Sequence, residues 1–343
     1  MTLIVGYVKK KVMDIYLKLK IFLIICLFTI FNSSISLSNE KFNEWLIEFK
    51  GRAINQGVSK DTVDNALKNA KFLERIVALD RKQPEFFEKT YEYLDKRVNE
   101  ARIREAKKLL SENSILLQKV NAKFKVNNEI LVALWGIETN FGVNKGKVDI
   151  ISALSTLSFD NRRSEYFEKE LIILLKLIDK KIVKYESLYG SWAGAIGNFQ
   201  FMPSTIQNYA LNFDENSDID LINSFQDSLA SAANYLKTIG WNEKDIWGFE
   251  IQTDKEFDKN LISPDSRNFK NKITIAQLKL LGFKNKNGSE ISITDKKEGW
   301  LIRPDGEDGP IYIVFDNFLR LLEWNRSLRF AITVGTLSDK IKI

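Results

Sequence analysis

From Asn39 to about Lys123 the apolar residues recur at three- and four-residue intervals. FNEWLIEF comes first, then a start signal at Ser59-Lys-Asp-Thr-Val-Asp. The run FFEKTYEYLDKRVNEARIREAKKLLSENSILLQKV follows, without Pro or Gly. This is the 3.6-residue period of amphipathic helices, and it predicts an N-terminal helical domain over 37–125. Over 126–247 short helical patterns alternate with Gly-rich turns: NNEILVALWGIETNFG, ISALSTLSF, EKELIILLKLI, MPSTIQNYAL and DSLASAANYLKTIGW. Over 248–314 the pattern shifts to short β-prone runs separated by Asn, Asp and Gly (ITIAQLKLLGF, ISITD, GWLIRP, PIYIVF), which predicts a small β-containing domain. The last stretch, 315–343, reads as helix again and is expected to pack back onto the middle region. The predicted fold is therefore mainly α with a β-containing insertion, and no internal repeat, low-complexity tract or further C-terminal module is read.

The first residues follow another logic. Lys9, Lys10, Lys11, Lys18 and Lys20 precede the apolar run Ile21 to Phe31, and NSSISLS follows. This is the layout of a secretory signal peptide over 1–36, with a small-x-small site at Ser34-Ile35-Ser36. The alternative is a membrane anchor, but 11 apolar residues fall short of the ~20 that span a bilayer. Met13 offers a second start. Five of the 51 basic and one of the 45 acidic residues lie in this segment, leaving 46 against 44. So balanced a chain has no electrostatic case for nucleic acid, which requires a clustered basic face.

What is missing narrows the chemistry. There is no histidine, and the one cysteine, Cys26, lies in the apolar run without the small residue that a lipid-anchor site places before it. Ser-His-Asp triads, cysteine or histidine nucleophiles and zinc sites of nitrogen and sulfur ligands are excluded. Carboxylate, Ser/Lys or Tyr chemistry, or plain binding, remain.

In NNEILVALWGIETNFG, Asn127 or Asn128 is placed to cap a helix, Ile130, Leu134, Ile137 and Phe141 form an apolar stripe, and Gly142 supplies the stop. Glu138 falls on the flank of that stripe in the last turn. Partial desolvation and the negative end of the helix dipole both raise the pKa of a carboxyl so placed, which suits a general acid. The same position also suits an ordinary Glu facing water. The segment GSWAGAIGNFQFMPST offers Gly190, Gly194 and Gly197, aromatics and a Gln ahead of Pro203, which opens a helix. Such a turn fits a sugar groove, and by composition fits a tightly packed core turn equally well.

These two segments, with ASAANYLKTIGW, DRKQPEFFEKTYEYL, ALSTLSFDNRR and DNFLRLLEWNRS, resemble the B-type lytic murein transglycosylases from about Asn39 to the end, in family order. The resemblance implies a lysozyme-like core. Glu138 would protonate the oxygen between N-acetylmuramic acid and N-acetylglucosamine, then act as base on the muramoyl 6-hydroxyl to give a 1,6-anhydro product. It further implies that Ser191 hydrogen-bonds to the catalytic carboxylate, that Gln200 contacts the sugar, and that Tyr235 and Phe315 line the cleft. Phe315 stands where the family carries a phenol. Asn198-Phe199 stands where some relatives carry smaller residues. No second carboxylate is required, unlike the paired carboxylates of ordinary glycosidases, although Asp149, Asp160 and Glu165 remain as candidates.

Residues 212–227 (Asn212-Phe-Asp-Glu-Asn-Ser-Asp-Ile-Asp-Leu, with Asp227) are similar to a loop that holds calcium in some members. Ser217 in place of the turn glycine and Asn212 in place of the first carboxylate argue instead for an unmetallated polar loop. No organic cofactor is expected. The partners implied are peptidoglycan glycan strands, with cell-wall synthesis or division complexes as further partners, for a periplasmic monomer. A hydrolytic muramidase and a catalytically silent peptidoglycan-binding protein are the competing readings.

Overall fold

The computed structural model describes residues 13, 20, 39–83, 87–184, 188–214 and 218–342. The expected signal segment, 1–36, lies outside the described residues apart from Met13 and Lys20. Among the described residues no helix is long and apolar enough to cross a membrane.

The order is helices first, then a mixed region, then a sheet, then two helices. Helices at 39–55, Lys60–Ala66, Glu74–Asp80, Thr90–Arg97, Glu100–Glu112 and Ser114–Phe124 lead into Asn128–Thr139. Ser59 caps the second by accepting the Thr62 N–H at 3.2 Å, and Asn99 caps the fifth by accepting the Arg102 N–H at 3.0 Å. Strands β1 (Val148–Asp149) and β2 (Tyr189–Gly190) pair antiparallel around the helices Ile150–Phe159 and Ser164–Asp179. Pro203–Tyr209 and Phe225–Thr238 complete the middle region.

The sheet that follows contains β3 (Gly248–Gln252), β4 (Ile262–Ser263), β5 (Lys272–Thr274), β6 (Lys284–Asn285), β7 (Glu298–Ile302) and β8 (Ile311–Val314). Its order is β4-β7-β8-β3-β6, with β5 also on β7. Two runs read as β-prone behave differently. In ITIAQLKLLGF only Ile273 and Thr274 are strand, the end of β5, and Ile275–Leu280 is a helix because Thr274 and Gln277 form a reciprocal capping box. ISITD forms no strand, and Ile291 from it is buried in the core of the sheet.

Two hydrophobic cores result, and the period-two rule divides them. Trp300, Ile302, Tyr312 and Val314 on β7 and β8 face a large core that runs without a break from Phe42 through the middle region to Ile341. Their neighbours Leu301, Ile311 and Ile313 face a smaller core with Ile251, Ile275 and Phe283. The N-terminal and middle helices thus share one core. The C-terminal helix Leu328–Ile341 packs on Asn128–Thr139. Gly335 in the C-terminal helix permits the close approach of Trp247, since a Cβ would lie 2.4 Å from that ring.

The parts are also tied by charge. Asp305, its side chain 6% exposed, accepts the Thr90 N–H and hydroxyl, both at 2.8 Å, and pairs with Arg329 at 2.8 Å. One carboxylate thus joins the sheet region, an N-terminal helix and the C-terminal helix.

Candidate active site

The Asn128–Thr139 helix is buried on every side from Ile130 to Gly136, a more enclosed setting than one apolar stripe predicts. Its start differs from the expected side-chain cap. Asn127 sits at the N-cap, but its Oδ1 accepts the Trp241 indole N–H at 3.0 Å and its Nδ2 donates to Glu243 O at 3.1 Å.

Its end is made by three consecutive left-handed residues, Asn140 (φ 50°), Phe141 (φ 59°) and Gly142 (φ 84°). Only the last is the glycine that such a conformation favours, and backbone held this way collects at functional sites. The Asn140 and Phe141 N–H groups close back on Gly136 O and Trp135 O at 3.1 and 3.2 Å. Thr139 Oγ1 accepts the Gly142 N–H at 2.9 Å and donates to Asn198 O at 2.8 Å. That last bond fastens the 190–205 turn to the helix one residue beyond Glu138.

Glu138 is half-buried. Its Oε1 accepts the indole N–H of Trp324 at 2.8 Å. Trp324 is the last residue of the Asp316–Trp324 helix and stacks on Tyr235 (centroids 5.0 Å, 22°), which stacks on Tyr209 (4.3 Å, 18°). Phe199 and Phe201 approach the indole from the turn at 6.3 and 5.5 Å. The Tyr235 hydroxyl donates to Glu323 O at 3.0 Å. Burial, with Tyr209 and Glu323 nearby, pushes its phenol well above the ordinary range, so it stays a neutral donor.

The turn itself is densely bonded. Ser191 Oγ accepts the Ala195 N–H at 3.0 Å, and Ile196 pairs with Phe201 as an isolated β-bridge. Gly197 (φ 75°) has no room for a side chain, since a Cβ would sit 2.2 Å from Leu221 O. Gln200 (φ 50°) donates from Nε2 to Lys145 O at 3.2 Å and Gly197 O at 2.9 Å. The bond given to Ser191 Oγ thus lies inside the turn, while Tyr235 and Glu138 meet through a residue that sequence reasoning did not single out, Trp324.

Phe315 goes elsewhere. It is 1% exposed within the sheet's own core, against Phe249 and under the Lys297 ammonium, so it does not line the cleft. It follows Val314 on β8, and the alternation that turns Val314 to the helical core turns Phe315 away from it.

The other carboxylates have local tasks. Asp149 caps the Ile150–Phe159 helix through the Ser152 N–H, Asp160 pairs with Arg81 at 3.0 Å, and Glu165 pairs with Lys169 at 3.0 Å on the surface.

In the 212–227 loop, Asp227 is fully buried. Its Oδ1 accepts the N–H groups of Phe213 (2.6 Å) and Asp214 (3.3 Å), and its Oδ2 that of Asp220 (2.9 Å). Asp220 accepts N–H groups from Ile222 and Asn223, and Ser224 Oγ donates to Asp214. Asp227 is thus held by three backbone donors, and among the described residues no group of three or more Asp, Glu, His or Cys is arranged to hold a metal. Residues 215–217 of this loop lie outside the described residues.

Comparison with known proteins places this geometry. Membrane-bound lytic murein transglycosylase B of Escherichia coli (strain K12) is 33% identical over 223 residues, 64% of this chain and 58% of that protein, so the match spans less than two thirds of that relative. The crystal structure of SltB3 from Pseudomonas aeruginosa, in complex with NAG-anhNAM-pentapeptide, superposes with a TM-score of 0.79 at 32% identity, over 88% of this chain and 79% of that one. That of the Escherichia coli lytic transglycosylase Slt35, in complex with calcium, superposes at 0.72 with 26% identity, over 88% and 93%. The mainly α architecture with its lysozyme-like core and small sheet is common to them. The model of the Transglycosylase SLT domain matches residues 41–339, nearly all of the described chain, and the protein belongs to that family.

Proposed function

We propose that the chain is a peptidoglycan lytic transglycosylase with Glu138 as its catalytic acid and base. The observation that carries this is the setting of Glu138, a carboxyl at the end of a buried helix, hydrogen-bonded by Trp324, whose indole the aromatic turn approaches with Phe199 and Phe201. An indole N–H donates and does not accept. The Trp324 bond therefore orients the Glu138 carboxyl without taking the proton that it transfers.

Glu138 gives that proton to the glycosidic oxygen as the bond to muramoyl C1 breaks. The resulting carboxylate then takes the proton of the C6 hydroxyl while O6 closes on C1. Atoms and charge balance without water, and no second carboxylate is needed. Gln200, held by its Nε2, offers Oε1 to the sugar, Tyr235 lines the cleft through its stack with Trp324, and the Ser191 hydroxyl proton remains a donor toward the catalytic carboxylate. The relative bound to NAG-anhNAM-pentapeptide supports a glycan carrying an anhydro end. The N-terminal segment supports export, with action in the periplasm on the wall's own strands.

The test is mass spectrometry of purified peptidoglycan digested by the chain and by Glu138→Gln. Fragments ending in 1,6-anhydromuramic acid, made by the chain and absent with the variant, are expected. Reducing ends in their place would make it a muramidase, and no Glu138-dependent fragment at all would make it a binding protein.

A further inference from the structure

Next to the strained turn that ends the Glu138 helix lies a groove of about 480 Å³, bordered by Asn99, Arg102, Glu105, Asn140, Phe141 and Val143. Arg102 is its unusual member. Its Nη1 donates to Arg97 O at 2.6 Å and its Nη2 to Asn140 Oδ1 at 3.2 Å, while its Nε is buried without a partner. Among the described residues the guanidinium forms no ion pair; Arg97, close by, is itself paired with Glu88. Burial and the neighbouring Arg97 both lower its pKa, the mark of a desolvated cation lacking a counter-charge. Glu105 on the same rim interacts with Lys108 at 3.7 Å and does not neutralise Arg102.

A half-buried guanidinium with donors to spare, held by two neutral oxygens, is arranged to receive a planar anion in its fork. Asn140 fixes the place of the groove, because its amide oxygen orients Arg102 and it stands two residues beyond Glu138, within about one helical turn of the acid. Phe141 and Val143, the latter largely exposed, give the groove an apolar wall beside the charge.

We propose that Arg102 is the anchor of a carboxylate-binding subsite that takes a carboxylate of the peptidoglycan strand beside the scissile bond. In an intact wall the lactyl carboxyl of muramic acid is spent in the amide to the peptide stem, so the free carboxylates are those of the stem. In a stripped strand the lactyl carboxylate is free. The subsite rests on the reading of the cleft as a peptidoglycan site and adds to it a preference for how the strand is substituted.

The experiment compares kcat/KM on stem-bearing strands and on strands stripped by an amidase, for the chain and for Arg102→Gln, with melting curves as the folding control. The expected result is a fall of about tenfold on stem-bearing strands relative to stripped ones, the scale of one charge-assisted hydrogen bond. A selective fall on stripped strands would assign the lactyl carboxylate as the ligand and keep the subsite. An equal change on both, or none, overturns it. Should Arg102→Gln not fold, Glu105→Gln serves, since removing the competing negative charge from the rim raises the same ratio if the subsite exists, and an unmoved ratio overturns it. If the chain itself cuts neither strand, the transglycosylase reading fails and the subsite falls with it, an outcome distinct from the others.

Discussion

The indole nitrogen of Trp324 lies 2.8 Å from Oε1 of Glu138, and the two residues are 186 positions apart in the chain. The last turn of one helix thereby holds the carboxyl at the last turn of another. Behind the indole, Tyr235 and Tyr209 continue the stack.

Trp324→Phe keeps the stack and removes the N–H. Losing a hydrogen bond to a carboxyl that must be oriented should lower kcat by roughly tenfold to a hundredfold with KM little changed. Trp324→Ala also removes the ring from Tyr235 and should raise KM as well. Steady-state kinetics on purified strands separate the two, and a phenylalanine variant with full kcat would sink the positioning role.

Phe315→Ala should cost about 3–5 kcal/mol of stability, as for a fully buried ring, and leave the KM for glycan as it is. Chemical denaturation and kinetics together check this. A raised KM in a folded variant would return Phe315 to the cleft.

Gly197→Ala forces a Cβ to within 2.2 Å of Leu221 O at a φ of 75°. The turn must shift or strain by roughly 1–3 kcal/mol, so both the melting temperature and the activity should fall. An alanine variant that is active and as stable as the parent would show the turn to be adaptable.

The Asp305 junction predicts a pH dependence. Burial alone would raise its pKa, but the Thr90 N–H and hydroxyl and the Arg329 guanidinium outweigh burial and hold it below the ordinary carboxylate value. A depressed folded-state pKa gives stability that is complete above about pH 4, the unfolded value, and is lost as pH falls through the folded value. The melting temperature of Asp305→Asn should therefore lie below the parent's at neutral pH, and the gap should close in strong acid. A gap constant with pH would assign the effect to packing.

The end of the Glu138 helix and the turn that faces it were legible because their signals are local, a glycine stop in one and glycines spaced for a tight turn in the other, whereas a role in a sugar site came only with the resemblance. The change of period at Gly248 marked the sheet for the same reason. Trp324 was not legible, because the end of an amphipathic helix does not show which distant carboxyl its aromatic will meet. Phe315 misled because a place shared with the phenol of the family does not show which side of a strand a ring takes, and that parity emerges only once β8 is paired with β3 and β7. The all-round burial of Ile130 to Gly136 was hidden too, since an apolar stripe does not reveal that the C-terminal helix will cover the helix as well.

The alternation along β7 and β8 makes these strands a party wall between two rooms. A chain shortened by excising 248–314 would not simply lose an accessory. It would strip Trp300, Ile302, Tyr312 and Val314 from the helical side and leave a greasy scar there, inviting self-association. Engineering that trims or grafts this region has room at the loops on its outer margin, where neither interior is opened.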